Sequence, residues 1–219
     1  SKRFRGSKVT LDLFNKKVTD KDKTAELIGF QAALLMNLGA YEDALKVINE
    51  ALTRFPDNQW LVFQKAVALE RCDRFDEAKP ILLGLMTQGV LLDQVYNYLG
   101  YSMLEHGDNV DEALTYLIKA SALSPKDGRV TDSLAWGYFK KGDDKKALVY
   151  LNAANKQSPD EFEILEHLGD VYRAIKNEWQ AKDFYRKALV ILDGVTFKTD
   201  YEIRGRKRIA QKLKEGGSE

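Results

Sequence analysis

The chain has 219 residues, 44% hydrophobic and 31% charged, and its 34 Lys and Arg against 33 Asp and Glu leave a formal net charge of +1. That balance gives no global field directed at nucleic acid or a membrane surface, and no apolar run approaches the roughly 20 residues needed to span a bilayer. Cys72 is the single cysteine of the sequence, which excludes a disulfide within it and any cysteine-based zinc site.

Residues 1–23 open with a basic cluster, Lys2, Arg3, Arg5 and Lys8, followed by Val9, Leu11, Leu13, Phe14 and Val18 at a spacing that suits one helix. No apolar signal-peptide core is present there. Counting 34 back from Ala44 reaches Thr10, and 34 back from Ile48 reaches Phe14. The segment is therefore expected to be the remnant of a preceding repeat, within a longer parent chain.

From residue 24 the sequence repeats. Small residues fall at Ala32, Ala66, Gly100, Ala135 and Gly169, and a second series at Ala44, Ala78, Ala113, Ala147 and Ala181. A third reads Ala51, Leu85, Ala120, Ala154 and Ala188, and a stop position reads Pro56, Val90, Pro125, Pro159 and Asp193. The spacing is 34 residues, with one extra residue in the third repeat, placed in the turn between His106 and Val110. Each unit reads as helix, short turn, helix, with small residues where two backbones approach. The predicted units are 24–58, 59–92, 93–127, 128–161 and 162–193. The second departs most. Leu85 and Val90 replace its small residue and proline, and Pro80 is placed in the first turn of its second helix, where a missing N–H costs little. Residues 90–93 are expected to let that helix run on or bend. Lys176 stands where a turn glycine is common. Residues 194–219 are read as a capping helix and tail, with Ile203, Ala210 and Leu213 on one face and Arg204, Arg206, Lys207, Arg208, Lys212 and Lys214 around the rest.

The pattern in Gln94–Pro125, QVYNYLGYSMLEHGDNVDEALTYLIKASALSP, resembles the tetratricopeptide repeat, whose family pattern has leucine-glycine in the first helix (A), alanine in the second (B) and a terminal proline. The resemblance implies an all-α fold, a right-handed α-solenoid of helix–turn–helix repeats. The last three units, with DSLAWGYF as the most specific stretch, look like the C-terminal part of proteobacterial envelope lipoprotein scaffolds. That implies a bacterial periplasmic setting, with the cytoplasm as the alternative.

Catalytic motifs are absent from the sequence: it holds no HExxH, no phosphate-cradling glycine loop and no GxSxG. His106 and His167 are its two histidines, and no metal or other cofactor is expected. The chain is read as a non-enzymatic scaffold that binds protein or peptide partners, with an accessory role in an envelope protease or cell-wall enzyme complex as one alternative. Nucleic-acid or anionic-membrane binding through the basic termini is the other. The family resemblance implies ligand contacts along the A helices. Carried onto this sequence, the groove is Trp60, Phe63, Gln64, Asn97, Tyr98, Tyr101, Asp132, Trp136, Lys140, Glu166, His167, Asp170 and Arg173. Aromatic anchors suit a partner's apolar side chains, Asn97 suits a peptide backbone amide, and Glu163, Glu166 and Asp170 on one helix face suit a basic residue. The lysine, arginine and asparagine clamp by which some tetratricopeptide proteins hold a C-terminal carboxylate is missing, because Gly29, Ala33, Gln64, Gln94 and Tyr98 occupy its positions.

Overall fold

The computed structural model describes residues 10–14, 16, 24–196 and 198–215. The basic cluster Lys2 to Lys8, with Val9, Val18 and the last four residues, lies outside them. Every regular element among the described residues is helical: α1, helical at residues 10–14 and 16, then α2 (Ala25–Asn37), α3 (Tyr41–Arg54), α4 (Gln59–Arg71), α5 (Phe75–Thr87), α6 (Leu92–Glu105), α7 (Val110–Leu123), α8 (Gly128–Lys140), α9 (Asp144–Gln157), α10 (Phe162–Ala174), α11 (Glu178–Gly194) and α12 (Asp200–Glu215). The fold is an α-solenoid of paired helices, α2 with α3, α4 with α5, α6 with α7, α8 with α9 and α10 with α11. The second helices start at Tyr41, Phe75, Val110, Asp144 and Glu178, intervals of 34, 35, 34 and 34 residues. The third turn has four residues, His106 to Asn109, where the others have three, so the extra residue sits outside the packed helices.

The chain divides into two compact units, one holding the described residues up to Leu91 together with Thr196–Ile203, the other Leu92–Val195 with Arg204 onward. In both units the small-residue series is the core. Ala32, Ala66, Ala135, Ala44, Ala78, Ala113, Ala147 and Ala181 are fully buried. At Gly100 a Cβ would lie 2.8 Å from Leu117 Cγ and 2.9 Å from the Ala113 carbonyl oxygen, so α6 and α7 meet at backbone distance. Gly169 has the same constraint against the Tyr185 ring. In the first unit Phe14 of α1 is buried, its ring 6.1 Å from that of Phe30 on α2.

The helix ends follow local chemistry. Asn58, Asn109, Asp127, Asp143 and Asn177 each accept a hydrogen bond from a backbone N–H of the next helix's first turn, which satisfies donors that no helical carbonyl reaches. Each A helix ends through a residue at positive φ: Gly39, Asp73, Gly107, Gly142 and Lys176. Lys176, at φ 64°, therefore takes the left-handed conformation despite its side chain.

Two sequence expectations are corrected here. α5 neither runs on nor bends through Val90, since it stops at Thr87 and positive φ at Gly89 and Leu91 turns the chain before α6. The helix that does run on is α11, 17 residues long, where Asp193 stands in place of a stop proline. Pro80 is not in the first turn of α5 but inside the helix. Its missing N–H leaves the Asp76 carbonyl without its helical donor, and burial of Ala78, Leu82 and Leu85 holds the helix regardless.

Candidate functional site

In the second unit, the A helices α6, α8 and α10 carry a connected set of polar and aromatic side chains. His167 Nδ1 on α10 lies 2.9 and 3.0 Å from the two carboxylate oxygens of Asp132 on α8. Trp136, one turn beyond Asp132, stacks on the His167 ring at 4.1 Å and 14° and donates its indole N–H to Glu105 Oε1 at 2.8 Å. Lys140 lies 5.0 Å above the Trp136 ring and 3.8 Å from Glu105. Tyr101 on α6 donates its hydroxyl to Glu163 on α10 at 3.2 Å. Burial pushes the His167 imidazole toward the neutral form, but the Asp132 charge and hydrogen bond, with Glu163 and Asp170 behind them, outweigh it and raise its pKa to about 9. His167 is thus a buried cation at neutral pH, matched by a buried anion.

The acidic face of α10 is already occupied from within the chain. Glu166 is only 1% exposed, and α12 lies on it. Arg208 grips its carboxylate with two bonds of 2.7 Å, and Lys212 Nζ reaches Glu166 Oε1 at 2.7 Å and Asp170 Oδ2 at 2.6 Å. Burial pushes the Glu166 carboxyl up, yet the Arg208 and Lys212 charges prevail and hold it below the usual range. Tyr185 donates its hydroxyl to Asp170 at 2.7 Å, and Arg173 donates to the Lys212 carbonyl at 2.7 Å while its guanidinium covers the Tyr185 ring. The negative patch read from Glu163, Glu166 and Asp170 is therefore compensated by α12 rather than open.

Of the remaining predicted groove residues, Trp136 and Asp132 are buried in the network just described, at 8% and 4% exposure, while Tyr98 and Tyr101 are half-buried. Asn97 precedes Tyr98 on α6, and its Oδ1 is buried with no hydrogen-bond partner. In the first unit Trp60 is 43% exposed and stacked on the buried Phe63, and Gln64 donates to the Gly29 carbonyl at 3.2 Å. Cys72, in the same unit, has its thiol pushed up to about 11 by burial and by Glu42, so it is protonated at neutral pH. Among the described residues, no cluster of His, Cys, Asp and Glu is placed to hold a metal ion, and no helix is long and apolar enough to cross a membrane.

Arg208 and Lys212 are the partners of Glu166 that the sequence does not reveal. The sequence places them around a capping helix, and no pattern of charges in it sets which face of α12 turns inward.

A tetratricopeptide repeat family model matches residues 35–89. The fold matches that of a thermophilic tetratricopeptide protein from Thermus thermophilus with a TM-score of 0.74, at 20% identity, over 87% of this chain and 99% of that one. Residues 35–89 thus carry a tetratricopeptide repeat, and the chain has the fold of tetratricopeptide proteins. The repeat protein is also 26% identical over 149 residues to the TPR repeat-containing protein PA4667 of Pseudomonas aeruginosa, which covers 68% of this chain and 25% of that protein. A further match, 26% identical over 175 residues, is the human Protein O-mannosyl-transferase TMTC1, with 77% of this chain and 19% of that protein covered. The repeat protein thus spans a quarter or less of the length of these relatives.

Proposed function

We propose that the repeat protein is a non-catalytic scaffold whose second unit binds an extended peptide segment of a partner protein along α6, at Asn97, Tyr98 and Tyr101. Asn97 Oδ1 carries this reading. It is a carbonyl oxygen buried without a hydrogen-bond partner, a condition that costs about 1–3 kcal/mol and is uncommon without a reason. Turning the half-buried Asn97 amide outward brings that oxygen to a peptide N–H of a ligand. The half-buried tyrosines on the same helix supply area for apolar side chains at small entropic cost. The tetratricopeptide fold is an interaction scaffold in general, and the burial of Asp132, Trp136 and His167 against one another supports a structural role for that cluster over a catalytic one.

Nucleic-acid or lipid binding by the C-terminal cations is disfavoured, since Arg206, Arg208 and Lys212 are engaged with Asp193, Glu166 and Asp170. The likeness to the Pseudomonas protein supports a bacterial setting, and the resemblance of the last three repeats to envelope scaffolds supports the periplasm and an accessory role beside an envelope enzyme.

The test is selection of a displayed random-peptide library on the folded protein. Enriched peptides should bind Asn97→Ala at least tenfold more weakly than the parent and bind Val149→Ala, altered at an exposed helix-B position, as well as the parent. Equal binding to the Asn97 variant, with circular dichroism unchanged, would remove the reading.

A further inference from the structure

The strongest feature outside the α6 face is the seat of α12 on α10. After Gly205, which packs on the Phe162 ring, Ile209 is the fully buried apolar side chain of α12. The remaining hold is polar: the Arg208 and Lys212 contacts with Glu166 and Asp170, and the Arg173 bond to the Lys212 carbonyl. The two sides of this contact are unequal. The Arg208 and Lys212 side chains are 45% and 24% exposed, while the Glu166 side chain is 1% exposed. If the end of α12 lifts away, its cations pass to water, and the Glu166 and Asp170 carboxylates lose the counter-charges that now hold them. Covering Glu166 again without a counter-charge would desolvate a lone anion, which is strongly unfavourable. A segment that takes the place of α12 must therefore bring cations of its own at the same spacing.

We propose that the Glu166–Asp170 face of α10 is a docking surface for a basic helical segment of a partner protein, and that α12 is its built-in competitor. The partner segment carries an Arg and a Lys, or two Arg, four residues apart on one face, with a β-branched or aliphatic residue between them in the place of Ile209. It displaces α12 from its C-terminal end. A tethered segment competes at an effective concentration in the millimolar range, so the face stays closed to weak basic helices and opens to one that pairs better with both carboxylates. This surface is separate from Asn97, and neither proposal depends on the other.

The experiment uses the full chain and a fluorescein-labelled peptide copying α12, Asp200–Glu215. Fluorescence anisotropy is read for the parent and for Arg208→Ala/Lys212→Ala, whose own α12 is a weaker competitor. The double variant should bind the peptide at least tenfold more tightly than the parent, and a peptide with Gln at both cationic positions should bind neither. Asn97→Ala placed in the double variant should leave that affinity unchanged, which separates this test from the one on α6. If the double variant keeps its helical circular dichroism and binds the peptide no better than the parent, α12 is a fixed cap and the proposal fails. Should the double variant not fold, amide hydrogen exchange on the parent decides. The last turns of α12 should exchange at least tenfold faster than the middle of α10, and equal protection would overturn the proposal.

Discussion

His167 Nδ1 stands 2.9 Å from Asp132 Oδ1, and the two side chains, 35 residues apart in sequence, are both buried. The pair is a salt bridge inside the stack of A helices, with Trp136 closing one face of the imidazole. Because the folded state raises the His167 pKa from 6.5 to about 9, it favours the protonated form. The resulting stability is whole below pH about 6.5 and is lost as pH rises through about 9. The thermal midpoint of the parent should fall between pH 6.5 and 9.5 by more than that of Asp132→Asn/His167→Gln. Parallel pH profiles for the two proteins would show that the pair does not carry this charge.

Glu166 has a different asymmetry. Glu166→Gln removes the buried anion and frees two cations that reach water, whereas Arg208→Ala/Lys212→Ala leaves the anion buried and unmatched. The double variant should be the less stable of the two, by about 1–3 kcal/mol in urea denaturation. Charge reversal at Glu166 sets a buried cation against Arg208 and Lys212 and should destabilise the second unit.

The close helix contacts give a packing test. Gly100→Ala pushes a methyl group to 2.8 Å from Leu117 Cγ, and Gly169→Ala pushes one against the Tyr185 ring. Each should cost about 1–3 kcal/mol or more, read as a lowered thermal midpoint beside the exposed control Lys145→Ala. A midpoint equal to the control's would contradict the assigned helix contacts.

Two substitutions should stabilise. Lys176→Gly relieves a side chain held at positive φ and should gain about 1 kcal/mol. Pro80→Ala restores the N–H that the Asp76 carbonyl lacks and should gain about 1–3 kcal/mol in the first unit. Chemical denaturation of each variant decides both. A loss of stability at Pro80→Ala would mean that the helix is kinked to suit the proline.

In the third turn, Asn109 Oδ1 accepts from both Asp111 and Glu112 N–H groups at 3.1 Å and starts α7. Asn109→Ala should cost about 1 kcal/mol, seen as a lower denaturation midpoint, while Asn109→Asp should keep most of the stability.

The repeat register was legible because it rests on residue size: Ala44, Ala78, Ala113, Ala147 and Ala181 are small wherever two helices touch, and that constraint is written at a fixed period. The turn insertion followed from the same series. The polar network was only half legible. Asp132 and His167 were each picked out as face residues, but their pairing needs the stack itself, which sets one A helix against the next. Arg208 and Lys212 were not legible as partners of Glu166. They lie 42 and 46 residues away, and the inward face of α12 is marked by Gly205 against Phe162 and by the buried Ile209, not by its pattern of charges.

A photoreactive amino acid placed at Tyr98 on α6 and, separately, at Val149 on the exposed side of α9 decides whether a peptide lies along α6. Each variant is irradiated with a peptide selected on the parent, and the covalent adduct is mapped by mass spectrometry. A peptide on α6 gives a crosslink from position 98 that excess unlabelled peptide suppresses, and none from position 149. A crosslink from 149 with none from 98 would put the peptide on the opposite helices and contradict the α6 site.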